Sequence, residues 1–302
     1  VNGESPKYHE PVLLRESIEA LALRPEGVYV DATFGGGGHS RAILEKLGNG
    51  RLFAFDQDEE AKQNVMHDER LVFINQNFRY LKKMLRVQGV NKVHGILADL
   101  GISSHQVDSS HRGFAHRFEG MLDMRMDQQA GTTAADLLNE SDVHLLQKIF
   151  SEYGEVRNAR TLSEKIAQAR MRRPFDTVSG FIAAIEPCIR GHRNRYLSQV
   201  FQSLRIAVNE ELNALKEFLG QTAEVLTEGG RLVVISYHSL EDRLVKNFMR
   251  SGNITGEEEK DLFGKSEQVF RLITRKPVKP AAEEMNRNPR ARSARMRVAE
   301  RV

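Results

Sequence analysis

The chain has one cysteine, Cys188, and no tryptophan among its 302 residues. A lone cysteine excludes an intramolecular disulfide and argues against a cysteine-built metal site. The lack of tryptophan carries no functional information. No apolar run approaches the ~20 residues of a membrane span. The opening residues, VNGESPKYHEPVLL, lack a signal-peptide pattern, so the expectation is a soluble cytoplasmic protein with no membrane partner. Net charge is also scarce, at +3 with 28% charged residues, so any nucleic-acid signal must be local. What is abundant is hydrophobic residues, at 40%, enough for one or two sizeable cores.

The first hundred residues alternate short apolar runs with helix-like stretches. Val28 to Thr33, RLFAFD (51–56), LVFIN (71–75) and HGILADLG (94–101) read as strands, and Ser40 to Leu47 and YLKKMLRVQGV as helices. Strands separated by helices imply parallel pairing. The rhythm then stops. Residues 105–130 read as a long polar loop. Helices follow from a cap at Ser141 or Asp142 and over 158–171 and 177–187. Leu197, Phe201, Leu204, Val208, Leu212, Leu215 and Leu219 then recur at the spacing of one long amphipathic helix. A strand returns at RLVVIS (231–236) and a helix at 240–249. FRLITRKPVKP (270–280) and RSARMRVAE (292–300) suggest a terminal β-hairpin with a loop between its strands. The pattern predicts one α/β domain built from 1–104 and 201–302, interrupted by a helical domain at 105–200.

The stretch VYVDATFGGGGHS (28–40) joins the first strand to the first helix through four glycines, Gly35 to Gly38. Ordering four glycines is entropically costly. Their place between strand and helix suits a nucleotide-type site, where a ligand must approach the backbone. No lysine follows, so the loop does not fit a P-loop. Gly35 and Gly37 match a dinucleotide fingerprint, but Ser40 stands at its third glycine. S-adenosylmethionine demands the same absence of side chains, and a tight turn without ligand is the plain alternative. Asp56 ends the second strand eighteen residues beyond Gly38, a spacing that suits ribose hydroxyls in NAD and S-adenosylmethionine alike. Asp99 ends the fourth strand, where open α/β sheets place ligands. Amino-group methyltransferases commonly carry an acid, two prolines and an aromatic at this point. Asp99-Leu100-Gly101-Ile102 keeps the acid alone.

Nine segments in order resemble the bacterial RsmH (MraW) methyltransferases. They are HEPVLL (9–14), DATFGGGGHS (31–40), FDQD (55–58), ADLGISSHQVD (98–108), RGF (112–114), LDMRMD (122–127), FQSLRIAVNEEL (201–212), GGRLVVISYHSLEDRLVKNF (229–248) and NPRARSARMRVAER (288–301). The resemblance implies a Rossmann-like S-adenosylmethionine-dependent methyltransferase domain with an inserted helical domain for RNA recognition. It implies N4-methylation of a cytidine in the decoding centre of 16S ribosomal RNA, within the small ribosomal subunit. It places the cofactor against Gly37, Gly38, His39, Asp56, Phe78, Asp99 and Gln106. Three positions depart from the family pattern: Met121 stands for a usual proline, Tyr237 for a common phenylalanine, and RYLSQV lacks a frequent Thr-Arg pair.

Asp99 is the catalytic candidate, with the Leu100 carbonyl as a second acceptor for the amino hydrogens of cytosine. A sulfonium-activated methyl group requires no metal. Phe114, Tyr237 or His238 are candidates to stack the target base. Residues 157–195 carry nine Lys/Arg against three acids, and 287–301 carry six Arg against one Glu. This local excess suggests RNA contact, with His238, Arg125, Arg292 and Arg295 as substrate-binding candidates. Arg125 can equally pair with Asp123 or Asp127, and His238 can equally be structural. An NAD-linked oxidoreductase and a non-catalytic RNA-binding module are the rival readings. The oligomeric state stays open, a homodimer included.

Overall fold

The computed structural model describes residues 11–129, 131–257 and 268–302; His9 and Glu10 of the HEPVLL segment lie outside them. The residues fall into two compact units, one within 1–101 and 212–302, the other within 102–211.

The first unit is built on seven strands: β1 (Val28–Asp31), β2 (Arg51–Phe55), β3 (Leu71–Ile74), β4 (Val93–Asp99), β5 (Leu226–Ser236), β6 (Phe270–Leu272) and β7 (Arg295–Arg301). Their order is β3-β2-β1-β4-β5-β7-β6. The first five pair in parallel, while β7 runs antiparallel to both β5 and β6. The expected terminal hairpin is therefore present. Its connection is not all loop, because Ala282–Arg287 forms a short helix. The antiparallel β7 between β5 and β6 departs from the 3-2-1-4-5-6 order of dinucleotide-binding folds.

Strand residues sort by parity onto two cores. Val30, Phe53, Phe55, Ile96, Ala98, Leu232 and Val234 pack against Leu81, Leu85, Phe218, Leu219 and Phe248 on one face. Tyr29, Leu52, Leu97, Val233 and Ile235 pack against Leu13, Ile43, Leu44 and Met296 on the other. Burial on both faces explains why these strands read as continuous apolar runs rather than alternating ones. Each fully buried large side chain, such as Phe218, contributes roughly 1.5–3 kcal/mol. The covering helices are α1 (Leu14–Ala20), α2 (Gly38–Lys46), α3 (Leu81–Val87) and, later in the chain, Glu211–Val225 and Ser239–Ser251.

The second unit is helical: α4 (Ser104–Asp108), α5 (Ala134–Glu140), α6 (Val143–Glu152), α7 (Ala159–Arg170), α8 (Val178–Ile185) and α9 (Arg193–Val208). Asp142 caps α6 by accepting the Leu145 N–H at 2.8 Å. Leu146, Phe150, Leu162, Ile166, Phe181, Leu197, Phe201 and Leu204 form its core. Two expectations are corrected in this unit. The polar stretch from 105 is not all loop, since α4 and a 3-10 turn at Ser110–Arg112 occupy its start. The single long helix is broken after Val208, and α10 (Glu211–Val225) begins a new one. Glu210 takes a left-handed backbone at φ 48°. Asn209 holds the break: its Nδ2 donates to the Met124 carbonyl and its Oδ1 accepts from the Met126 N–H.

Candidate active site

Strand β1 lies between β2 and β4, so the connections leaving their carboxyl ends diverge there. Open α/β sheets bind ligands at such a point. Three carboxylates mark it: Asp31 ends β1, Asp56 follows β2, and Asp99 ends β4.

Each acid is fixed by short bonds. Asp31, fully buried, accepts the Ser40 hydroxyl at 2.7 Å and the Thr33 N–H at 3.1 Å. It thereby ties the end of β1 to the first turn of α2. Asp56 accepts the Gly35 N–H at 2.7 Å through Oδ2 and the Asp58 N–H at 2.8 Å through Oδ1. Asn64 completes the loop's anchorage by donating to the Gly35 carbonyl at 3.0 Å. The Asp99 N–H donates to Thr33 Oγ1 at 2.7 Å, and Asp99 Oδ1 accepts the Tyr237 hydroxyl at 2.8 Å.

Burial drives the carboxyl pKa of all three up to about 6, against opposing hydrogen bonds and, at Asp99, first the His39 charge. Asp31 raises both neighbours further by like charge. Such a cluster suits a ligand that brings positive charge and hydroxyl donors. The first N–H groups of α2 lack intrahelical acceptors and favour an anionic group.

His39 sits buried in that first turn, with Nε2 3.2 Å from the Val12 carbonyl and Nδ1 3.9 Å from Asp99 Oδ2. Burial lowers its pKa, with Asp99 and the Val12 carbonyl opposing. A neutral ring that donates from Nε2 to Val12 leaves Nδ1 as an acceptor. Two acceptors, His39 Nδ1 and Asp99 Oδ2, then face one another across 3.9 Å. That arrangement receives a donor such as an amino or ammonium group.

The glycine loop answers partly to the protein itself. Gly37 has φ +74°, and a Cβ there would stand 2.9 Å from the Phe34 ring. A Cβ on Gly38 would meet Pro11 at 2.2 Å. At these two positions the fold itself forbids a side chain, whatever a ligand adds. Phe78 is half-buried, edge-on to Phe218 with ring centroids 5.1 Å apart.

Other candidates hold structural positions. Gln106 is buried, and its Oε1 accepts the Ser103 N–H at 3.0 Å in a capping box on α4. Arg125 forms a bidentate pair with Asp123 at 2.9 and 2.7 Å, the pairing weighed against RNA contact. Phe114 lies in the core of the helical unit, which removes it as a stacking group. His238 caps α11 (Ser239–Ser251): its Nδ1 accepts the Glu241 N–H at 3.5 Å, and its Nε2 lies 3.2 Å from Glu241 Oε1. The cap is the structural role weighed against substrate contact, and among the described residues it leaves Nε2 without a hydrogen bond despite its nearness to Glu241. Arg295 contacts Asp242 at 3.2 Å, and Arg292 is exposed. Sequence reasoning passed over Asp31, Thr33 and Ser40 as site residues. The available signal was an acid inside an otherwise apolar strand.

A parallel sheet with an antiparallel terminal pair, a glycine loop and acids at three strand ends define a Rossmann-like S-adenosylmethionine-dependent methyltransferase domain. A model of the MraW methylase family matches residues 7–302, and the chain belongs to that family. It is 50% identical to the ribosomal RNA small subunit methyltransferase H of Bacteroides fragilis, covering 98% of each chain. It is 52% identical to the protein of that name from Cytophaga hutchinsonii, covering 97% of this chain and 99% of the relative.

Proposed function

We propose that this protein methylates the N4 amino group of a cytidine in the decoding centre of 16S ribosomal RNA, acting in the cytoplasm on RNA of the small ribosomal subunit. S-adenosylmethionine supplies an electrophilic methyl group. Asp56 retains lone pairs for ribose hydroxyls after accepting two backbone N–H groups. The open part of Phe78 offers an apolar wall for adenine. The first turn of α2 suits the α-carboxylate, and the acids suit the ammonium and sulfonium charges. Gln106 is retained as a cofactor contact of this reading.

The N4 nitrogen is a weak nucleophile because its lone pair is delocalised into the ring. Asp99 Oδ2 accepts an amino hydrogen, holds the nitrogen in line and stabilises the positive charge that develops on it. The Leu100 carbonyl is a second acceptor. As the N–C bond forms the methyl–sulfur bond breaks, its electron pair stays on sulfur to give S-adenosylhomocysteine, and the surplus N–H proton leaves toward Asp99 Oδ2 or water. The observation that carries this reading is Asp99 Oδ2 at the end of β4, 3.9 Å from His39 Nδ1 and, among the described residues, without a hydrogen-bond donor of its own. Arg292 and Arg295 hold phosphates, Arg295 in part because Asp242 offsets its charge. Arg125 contributes through the loop it braces with Asp123.

The test is mass spectrometry of small-subunit RNA from cells lacking the protein, paired with tritium transfer from labelled S-adenosylmethionine to purified subunits. Loss of one N4-methylcytidine and its restoration in vitro are expected. An unchanged modification pattern would sink the assignment. Thermal shifts with S-adenosylhomocysteine but not with NAD separate it from an oxidoreductase.

A further inference from the structure

The carboxyl end of β5 stands beside that of β4 because Asp99 pairs with Ile235 and the Leu100 N–H donates to the Ile235 carbonyl at 2.9 Å. Tyr237 lies two residues beyond Ile235. Its backbone N–H donates to Glu241 Oε2 at 2.9 Å, and Glu241 is buried at the start of α11. Its ring passes beside Gly101, where a Cβ would lie 3.7 Å from ring carbon Cδ2 and where φ is +95°. The backbone is thus fixed, the ring packs against the apolar core, and the hydroxyl reaches Asp99 Oδ1 at 2.8 Å. Among the described residues it is the side-chain donor within hydrogen-bond distance of that carboxylate.

We propose that Tyr237 is a positioning residue for methyl transfer: its hydroxyl holds Asp99 by Oδ1 and leaves Oδ2 to accept from the amino group of the target base. This rests on the reading of Asp99 as that acceptor. The other groups facing Asp99 do not substitute for the hydroxyl. His39, from α2, lies 3.9 Å from Oδ2, beyond hydrogen-bond distance, and acts on Asp99 only through charge that burial of the ring disfavours, while Asp31 from β1 and Glu241 from α11 add negative charge that favours a protonated Asp99. Burial and the adjacent Asp99 keep the tyrosine hydroxyl protonated, so it serves as a donor throughout the working range. A phenylalanine would fill the same space without fixing the carboxylate or helping it stay ionised.

The experiment is single-turnover transfer of tritiated methyl groups to small ribosomal subunits at saturating cofactor, across pH, for the unmodified enzyme, Tyr237→Phe and Asp99→Asn. Tyr237→Phe should bind S-adenosylhomocysteine within about two-fold of the unmodified protein. Its rate near neutral pH should fall about ten-fold, the effect of losing one hydrogen bond of ordinary strength. Its acid limb should move to higher pH by up to about one unit, since losing a donor to the carboxylate raises the pKa of Asp99. Fluorotyrosine incorporated at the same position, a stronger donor of nearly the same shape, should move the limb the other way. A merely structural role would move neither. Superimposable pH profiles, or a loss confined to cofactor affinity, would overturn the proposal. If Asp99→Asn is impaired and Tyr237→Phe is not, the positioning role alone fails. If Asp99→Asn transfers methyl groups at the unmodified rate, the acceptor reading fails and takes the proposal with it.

Discussion

Asp56 Oδ2 accepts the Gly35 N–H at 2.7 Å, so the acid proposed to face the ribose also pins the glycine loop. Removing it has two consequences. Asp56→Ala should weaken S-adenosylhomocysteine binding about ten-fold or more, as a charge-assisted contact is worth roughly 1.5–3 kcal/mol. It should also lower the melting temperature of the cofactor-free protein, because the Gly35 and Asp58 N–H groups lose their acceptor. Calorimetry and thermal melting check the two effects separately. Lost affinity at an unchanged melting temperature would show that the loop does not depend on this anchor.

Gly37 separates conformational demand from ligand demand. With φ +74° and the Phe34 ring 2.9 Å from a built Cβ, Gly37→Ala is strained before any cofactor arrives. A left-handed backbone costs an L-residue about 1–2 kcal/mol. The cofactor-free variant should therefore melt lower by about 2–8 °C. Gly37→Asn, which tolerates this backbone better, should melt between the two. An unchanged melting temperature for Gly37→Ala would mean that the glycine serves the ligand alone.

Much of this was readable from residue order. The strands around the glycine loop announce themselves as apolar runs ended by acids, and the site forms where those ends converge. The capping boxes were also present in principle. Ser103 with Gln106 and His238 with Glu241 stand at the three-residue spacing of that motif. The helix break at Asn209 was not readable, because Val208, Leu212 and Leu215 continue the apolar period across it. What breaks the helix is a tertiary bond from Asn209 to the backbone of Met124 and Met126. Tyr237 was weighed as a stacking aromatic for a similar reason. Its bond to Asp99 depends on the β4–β5 register, which local spacing does not encode.

The acid cluster predicts opposite pH trends for stability and affinity. Asp31, Asp56 and Asp99 have carboxyl pKa values raised from 3.8 to about 6 on folding. Groups shifted this way stabilise the fold most below the unfolded value, and that stabilisation is lost as pH rises through about 6. A cationic ligand binds the ionised cluster, so affinity should rise over the same interval. The melting shift induced by S-adenosylmethionine should be larger at about pH 7.5 than at about pH 5. In Asp31→Asn the difference should shrink. A ligand-induced shift independent of pH would contradict the pairing of the cluster with a cation.

Arg292 and Arg295 test the proposed RNA contact of the terminal segment. Arg292 is exposed, whereas Arg295 lies 3.2 Å from Asp242, which offsets part of its charge. Arg292→Ala should weaken RNA binding almost uniformly across sequences and reduce the salt slope by about one, as for a single phosphate contact. Arg295→Ala should have the smaller effect. Titrations of small-subunit RNA at several salt concentrations decide it. A salt slope unchanged in Arg292→Ala would remove that residue from the interface.

Asp99→Asn is the sharpest test of the chemistry, because the surroundings dictate how the amide must turn. The Tyr237 hydroxyl donates to Oδ1 at 2.8 Å, so the amide oxygen is expected to keep that place. The amide nitrogen then occupies the Oδ2 position, 3.9 Å from His39 Nδ1, itself an acceptor. Donor and acceptor attract there, and a small rotation closes the gap. The variant therefore replaces an acceptor with a donor and engages His39, leaving only the Leu100 carbonyl to receive the amino hydrogens of cytosine. Turnover should fall about 10²–10³-fold, the usual loss for one electrostatic stabiliser of the transition state. Cofactor affinity should change much less, because Asp56, Phe78 and the start of α2 are untouched. Single-turnover transfer measured across cofactor concentrations distinguishes the alternatives. Full recovery of rate at saturating S-adenosylmethionine would reduce Asp99 to a cofactor ligand. A rate deficit that persists at saturation, with Asp99→Ala less impaired than Asp99→Asn, would identify the misplaced donor as the cause.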